Sequence, residues 1–150
     1  MTGLNHAATG ALVAAAINKP IIALPAALLS HFVADVVPHW NYRIPIKNGR
    51  IKGMSIDLVL SLALLVVLAL TVDAKPWLVF LGGLLAISPD IMWLEYFLTG
   101  RPSIKGNPKR LINRLRQFHL WIQTSETDRG IWVEAVWFVL MIGLIYQVHH

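Results

Sequence analysis

Residues 54–72, MSIDLVLSLALLVVLALTV, decide what kind of protein this is. Nineteen residues run with Asp57 as the only charge, near the start. A helix of this length covers roughly the ~30 Å hydrocarbon core of a bilayer, so the stretch reads as a membrane span. The rest of the composition agrees. Hydrophobic residues make up 56% of the 150 and charged residues 14%, with a mean hydropathy of +0.60. A soluble domain carries about a quarter charged residues, so the deficit points to lipid as the surrounding solvent. The length fits one domain, 1–150, and the fold class expected is all-α: a helical membrane protein of about five apolar segments. Cysteine is absent, which removes disulfides and thiolate metal sites.

Working outward, the chain approaches this span through 38–53, a loop with Arg43, Lys47, Arg50 and Lys52 and no acid. Asn48-Gly49 within it suits either a two-residue hairpin turn or an irregular headgroup loop. Before the loop lie two shorter apolar runs, 3–17 and 21–37, separated by the turn Asn18-Lys19-Pro20. They read equally as two spans or as a hairpin that dips into one face. No basic region precedes the first run, so it is expected to stay rather than be cleaved as a signal peptide. Beyond the span, Asp73-Ala74-Lys75-Pro76 turns the chain and 77–98 returns, with Ser88-Pro89-Asp90 inside and Glu95 further on. Pro89 should bend that helix and free backbone carbonyls, a cost tolerated where a neighbouring helix satisfies them.

Residues 99–130 are polar and basic. Asn107 and Pro108 suit a helix start. Leu111, Leu115, Phe118 and Ile122 then form an apolar stripe with Lys109, Arg110, Asn113, Arg114 and Arg116 largely off it, the pattern of a helix lying in the membrane interface. Thr124 or Ser125 is placed to cap a last span, 131–148, which carries Glu134 near its start. The six tryptophans, several near span ends, read as interface anchors.

If the segments alternate in direction, the two long loops share one side of the membrane. That side holds eleven of the thirteen Lys and Arg, and only Lys19 and Lys75 lie opposite. The positive-inside rule makes it cytoplasmic, with the N-terminus in. The net charge of +5 is then explained by topology and by anionic lipid headgroups, with no need of nucleic acid.

The same alternation sends the remaining polar groups to that side: His6, His31, Asp35, His39, Asp57, Asp90, Glu95, His119 and Glu134. His31 and Asp35 stand one helical turn apart in SHFVADVVPHWNY, residues 30–42, so both leave one face. Asp35 and Asp90 each follow the start of an inward run by fourteen residues, or about 21 Å of helix, and so reach similar depth. Ionisable groups in such a place need a metal, a partner or water. Three or four His and Asp side chains around an open position are how Zn²⁺ is held for hydrolysis. The expected ligands are His6, His31, Asp35 and Asp90, with His119 and His39 as further candidates. Asp57 and Glu134 are the carboxylates expected to take a proton. Zinc is the first choice of cofactor and manganese the second. No Ser-His-Asp arrangement or Gly-rich phosphate loop accompanies them.

SHFVADVVPHW resembles the SHxxxD–P segment of small bacterial inner-membrane proteins known as membrane-bound metal-dependent hydrolases, the YdjM-like group. LLAISPDIMW is similar to that group's LPDIDH-type motif, and NHAATG and RQFHLW are similar to its scattered single-histidine motifs. The resemblance implies a helical membrane fold, a divalent-metal site and hydrolysis of phosphoesters or lipids. It bears most on His31 and Asp35, then Asp90, then His6 and His119. Ile91-Met92-Trp93 departs from the group's Asp-His continuation and removes one of its ligands.

The function expected is therefore metal-dependent hydrolysis at the cytoplasmic leaflet of a bacterial inner membrane. One rival is a non-catalytic assembly or lipid-binding protein whose polar groups satisfy one another. The other is a small ion or proton carrier, disfavoured because the outer half offers no ionisable stepping stones.

Overall fold

The computed structural model describes residues 1–40, 48–93 and 111–149, and these are almost wholly helical. Among the described residues six α-helices follow in order: α1 Gly3–Ile17, α2 Pro20–Val36, α3 Gly49–Thr71, α4 Pro76–Ile87, α5 Leu111–Ile122 and α6 Gly130–His149. A 3₁₀ segment, Ser88–Trp93, continues α4, and another, Gln123–Ser125, continues α5.

α1 is the hub, packing against α2, α3, α4 and α6. Its sequence, GLNHAATGALVAAAI, is nearly all small residues, and Ala7, Ala8, Ala11 and Ala14 are completely buried. Small side chains let helix backbones approach closely, the usual basis of helix contact where lipid removes the hydrophobic drive. The closest approach is to α4. A Cβ on Gly10 would come within 2.5 Å of both the Ala86 Cβ and the Gly82 carbonyl oxygen. Leu65, Leu68, Val79 and Ile145 close the core around the alanine face.

Two helices, Gly49–Thr71 and Gly130–Val148, are long and apolar enough to cross a membrane. Both are mostly exposed, with large apolar side chains such as Val59, Leu70, Trp132 and Val139 turned outward. The other apolar helices, Gly3–Ile17, Pro20–Val36 and Pro76–Met92, are shorter. Of five expected apolar segments, two therefore have full span length among the described residues, and the end of the segment 77–98 lies outside them.

Helix boundaries follow the Pro and Asn punctuation. Asn18 ends α1 in the left-handed region at φ 50°, its N–H bonded to the Ala14 carbonyl at 3.0 Å, and Pro20 opens α2. Pro38 holds Val37 extended and α2 stops at Val36. Asn48 also takes a left-handed φ of 57°, and Gly49 already opens α3. The Asn-Gly pair thus starts a helix instead of turning a hairpin, and the long helix begins five residues before the expected 54 (54 − 49). Thr124 and Ser125 fall in the 3₁₀ segment, where the Ser125 hydroxyl donates to the Val36 carbonyl at 2.9 Å; it ties α5 to α2 instead of capping α6. Asn107, Pro108, Lys109, Arg110 and Glu95 lie outside the described residues.

Helix direction alternates as expected. At one end the Lys75 ammonium donates to the Asn18 carbonyl at 3.2 Å, joining the two short turns. The start of α1, the end of α2, the starts of α3 and α6, and the end of α4 meet at the other end through the contacts described next. α5 lies there too, but its stripe is turned outward: Leu111, Leu115 and Phe118 are exposed, as is Trp121. Its inner face carries Asn113, His119 and Ile122, so Ile122 belongs to the buried side rather than to the stripe.

Candidate metal centre

Pro89 has no N–H and cannot continue the α-helical ladder, and the chain tightens into 3₁₀ geometry from Ser88. The last carbonyls of α4 therefore need other donors. The Ser88 hydroxyl serves Leu85 at 2.8 Å, and the His31 Nδ1–H serves Ala86 at 2.7 Å. A carbonyl only accepts, so the proton of a neutral His31 resides on Nδ1 and its Nε2 presents a lone pair. This is how metal-ligating histidines are commonly fixed.

The His31 Nε2 points at a cluster drawn from four elements. It lies 3.1 Å from Asp35 Oδ2 and 3.0 Å from His119 Nε2. His119 Nε2 in turn lies 2.9 Å from the same carboxylate oxygen. From α1, His6 stacks on His31 with ring centroids 4.0 Å apart and brings its Nε2 to 3.1 Å from Asp35 Oδ1. The Met1 amino group also contacts Oδ1. Asp90 stands further back, its Oδ1 3.9 Å from the Nε2 of both His31 and His119. His6, His31, Asp35 and His119 have no exposed side-chain surface, whereas the Asp90 side chain is 26% exposed.

The Met1 ammonium brings a positive charge to Asp35 Oδ1, and two imidazole nitrogens crowd Oδ2. His31 Nε2 and His119 Nε2 face each other, and at most one neutral imidazole can donate across that gap. His119 Nε2 has Gln123 Nε2 at 3.1 Å as a third neighbour. Neither ring nitrogen of His6 makes a hydrogen bond among the described residues, although the ring is wholly buried. Buried polar atoms without partners are rare and costly. A cation would satisfy the facing Nε2 lone pairs together, while the His6 Nδ1 would keep no hydrogen-bond partner among the described residues. Donors around a tetrahedral ion at about 2.0 Å stand roughly 3.3 Å apart, and separations of 2.9–3.1 Å with two of 3.9 Å bracket that value. Among the described residues two donor groups bring their ligand atoms within 4.8 Å of one another, His6–His31–Asp90 and His31–Asp35–His119. They share His31, which has only Nε2 to offer, so an ion can draw on it in one group or the other but not in both.

Five of the residues expected from sequence are thus brought together: His6, His31, Asp35, Asp90 and His119. Three are not. The ring of His39 is turned back on its own backbone, Nδ1 donating to the Val37 carbonyl at 2.8 Å. Its main chain pairs with the segment after α5, through Thr127 N–H to the His39 carbonyl at 2.8 Å. That clip, with the Ser125 bond to Val36, holds His119 over α2. Asp57 and Glu134, expected as proton acceptors, accept hydrogen bonds from the N-terminus of α1. Gln123 was not among the expected residues. Its spacing of four from His119 on one helical face is the signal that marks it.

Protein-family models, curated proteins and solved structures were each compared with the chain, and none matches.

Proposed function

We propose that this chain is a bacterial inner-membrane protein that binds one divalent ion, zinc before manganese, and hydrolyses a phosphoester or phospholipid at the cytoplasmic leaflet. The observation that carries the reading is the convergence of three imidazoles and two carboxylates, four of the five fully buried, with His31 Nε2, His119 Nε2 and Asp35 Oδ2 within 3.1 Å of one another. Asp35 and Asp90 would together balance a dication, with the Met1 ammonium on Asp35 Oδ1 adding one further positive charge. Imidazole-rich donor sets with few carboxylates suit zinc. Such an ion would make bound water a nucleophile and polarise a phosphoryl oxygen.

The protein's own groups supply the rest. His31, held by Ala86, and His6, held by its stack, fix two donors; Asp35 neutralises charge; His119 closes the set. Asp90 is the member with access from outside, so it is assigned the proton of the attacking water. The resemblance of 30–40 and 84–93 to YdjM-like hydrolases supports the same chemistry. Two span-length helices and their outward apolar faces support the membrane setting. Arg50, Lys52, Arg114, Arg116 and Arg129 accompany the elements of the metal centre, while Lys19 and Lys75 belong to the opposite turns, which supports a cytoplasmic site facing anionic headgroups.

Burial of four donors also favours a second reading, a closed structural ion that locks α1, α2 and α5 together. Elemental analysis of detergent-purified protein beside His31→Ala/Asp35→Ala tests the site. About one equivalent of metal in the wild type, lost in the double variant, is expected; metal-free, folded wild type would remove both readings. Metal-dependent release of phosphate or headgroup from a phosphodiester or anionic phospholipid vesicles separates hydrolase from structural ion.

A further inference from the structure

α1 carries no cap of its own: Thr2 makes no side-chain capping bond. The orphan N–H groups at its start go instead to two carboxylates from other helices. Asp57 of α3 accepts the Gly3 N–H through Oδ2 at 2.6 Å and the Leu4 N–H through Oδ1 at 3.0 Å. Glu134 of α6 accepts the Thr2 N–H through Oε1 at 2.9 Å and the Thr2 hydroxyl through Oε2 at 2.7 Å. Asn5 Nδ2 donates to the same Oε2 and, at 3.0 Å, to the Glu134 carbonyl. Both acids sit where the helix dipole is positive, so charge and hydrogen bonding act together.

His6 follows within a turn of these anchors. Its ring meets the stack with His31 and, through Nε2, Asp35 Oδ1 at 3.1 Å, and both contacts depend on where α1 stands. The flanks of α1 are alanine and glycine, which permit close approach but offer few projections to lock one helix against sliding or turning. The two acids supply directional contacts from opposite partners, α3 and α6, at the end of α1 nearest His6.

We propose that Asp57 and Glu134 are positioning residues of the metal centre: by gripping the N-terminus of α1 they set its depth and rotation and thereby hold His6 Nε2 against Asp35. The proposal rests on the metal-binding part of the functional reading and not on hydrolysis. It gives the two carboxylates a task other than proton transfer.

The test is Co²⁺ titration of the full chain in detergent, followed by visible absorption, for wild type, Asp57→Asn, Glu134→Gln, His6→Ala and each carboxylate variant combined with His6→Ala. Asn and Gln keep one acceptor oxygen, and thermal melting identifies folded variants. Each carboxylate variant is expected to bind Co²⁺ about 10–100-fold more weakly, with a spectrum moved toward that of His6→Ala. Adding His6→Ala should produce little further loss, because all three changes remove the same donor. Unchanged affinity and spectrum in a folded variant would overturn the proposal, as would losses that multiply with His6→Ala. Should Asp57→Asn fail to fold, Glu134→Gln decides by the same criteria. Wild type that binds no Co²⁺ would overturn the metal centre itself, which distinguishes the two failures.

Discussion

The His31 ring donates its Nδ1–H to the carbonyl of Ala86, 2.7 Å away and 55 residues along the chain. A break in one helix thus sets the tautomer of a histidine in another. Pro89 causes the break, the freed carbonyl selects the proton position, and the opposite nitrogen faces Asp35 and His119.

Pro89→Ala tests that chain of causes. With an N–H restored, α4 is free to continue and its last carbonyls to re-enter the ladder. The expected result is slightly higher helicity by circular dichroism and metal binding weakened about 10–100-fold. Equal affinity with increased helicity would show that His31 does not need Ala86.

Gly10→Ala addresses the hub. The added methyl group would meet the Gly82 carbonyl and the Ala86 Cβ at 2.5 Å, a backbone contact that cannot yield locally. A loss of about 1–3 kcal/mol is expected from such overpacking, read as a lower denaturation midpoint in detergent. Because α1 carries His6 and the 3₁₀ segment that continues α4 carries Asp90, metal affinity should fall with it. Gly143→Ala, on α6 where no atom lies within 4 Å of the new carbon, is the control and should leave both unchanged.

Asp90→Asn separates binding from turnover. Its carboxylate is the more distant donor, 3.9 Å from two imidazoles, and the accessible one. The variant should hold its ion within a few fold of wild type while hydrolysis drops about 10²–10⁴-fold, the usual contribution of a general base. Activity retained together with metal would move the proton acceptor elsewhere.

The absence of cysteine makes topology directly measurable. Lys19, Arg50, Lys52 and Lys75 are exposed, so each can be replaced singly by cysteine. A membrane-impermeant maleimide added to intact cells should label the variants at 19 and 75 and spare those at 50 and 52, with the pattern inverted in inside-out vesicles. Labelling of all four from outside would contradict a cytoplasmic metal centre.

Some of this was legible in the residues alone. Hydropathy runs divided by Asn-Lys-Pro, Asp-Ala-Lys-Pro and Pro38 state where helices begin and end, because proline and left-handed asparagine act on the local backbone without help from distant contacts. Alternating helix direction then carries His6, His31, Asp35, Asp90 and His119 to one end. That inference needs only chain connectivity. The sequence also placed Asp57, Glu134 and His39 at that end, and rightly so, since all three touch elements that build the site.

Which of these eight side chains share one point was decided by tertiary structure. A helix sequence defines a face, but the rotation of that face about the helix axis depends on the neighbours. Here the Gly10–Gly82 approach, the carboxylate grip on α1 and the clip from His39 to Thr127 set those rotations. They turn His6, His31, Asp35 and His119 inward onto one another and direct Asp57 and Glu134 onto backbone N–H groups. The same reasoning applies to α5, whose apolar stripe suggested a helix in the membrane interface: its one histidine is drawn into the buried Asp35 cluster, and Leu111, Leu115 and Phe118 are left outside. Sequence determined the helices and the end of the bundle where charge gathers; packing determined which charges meet.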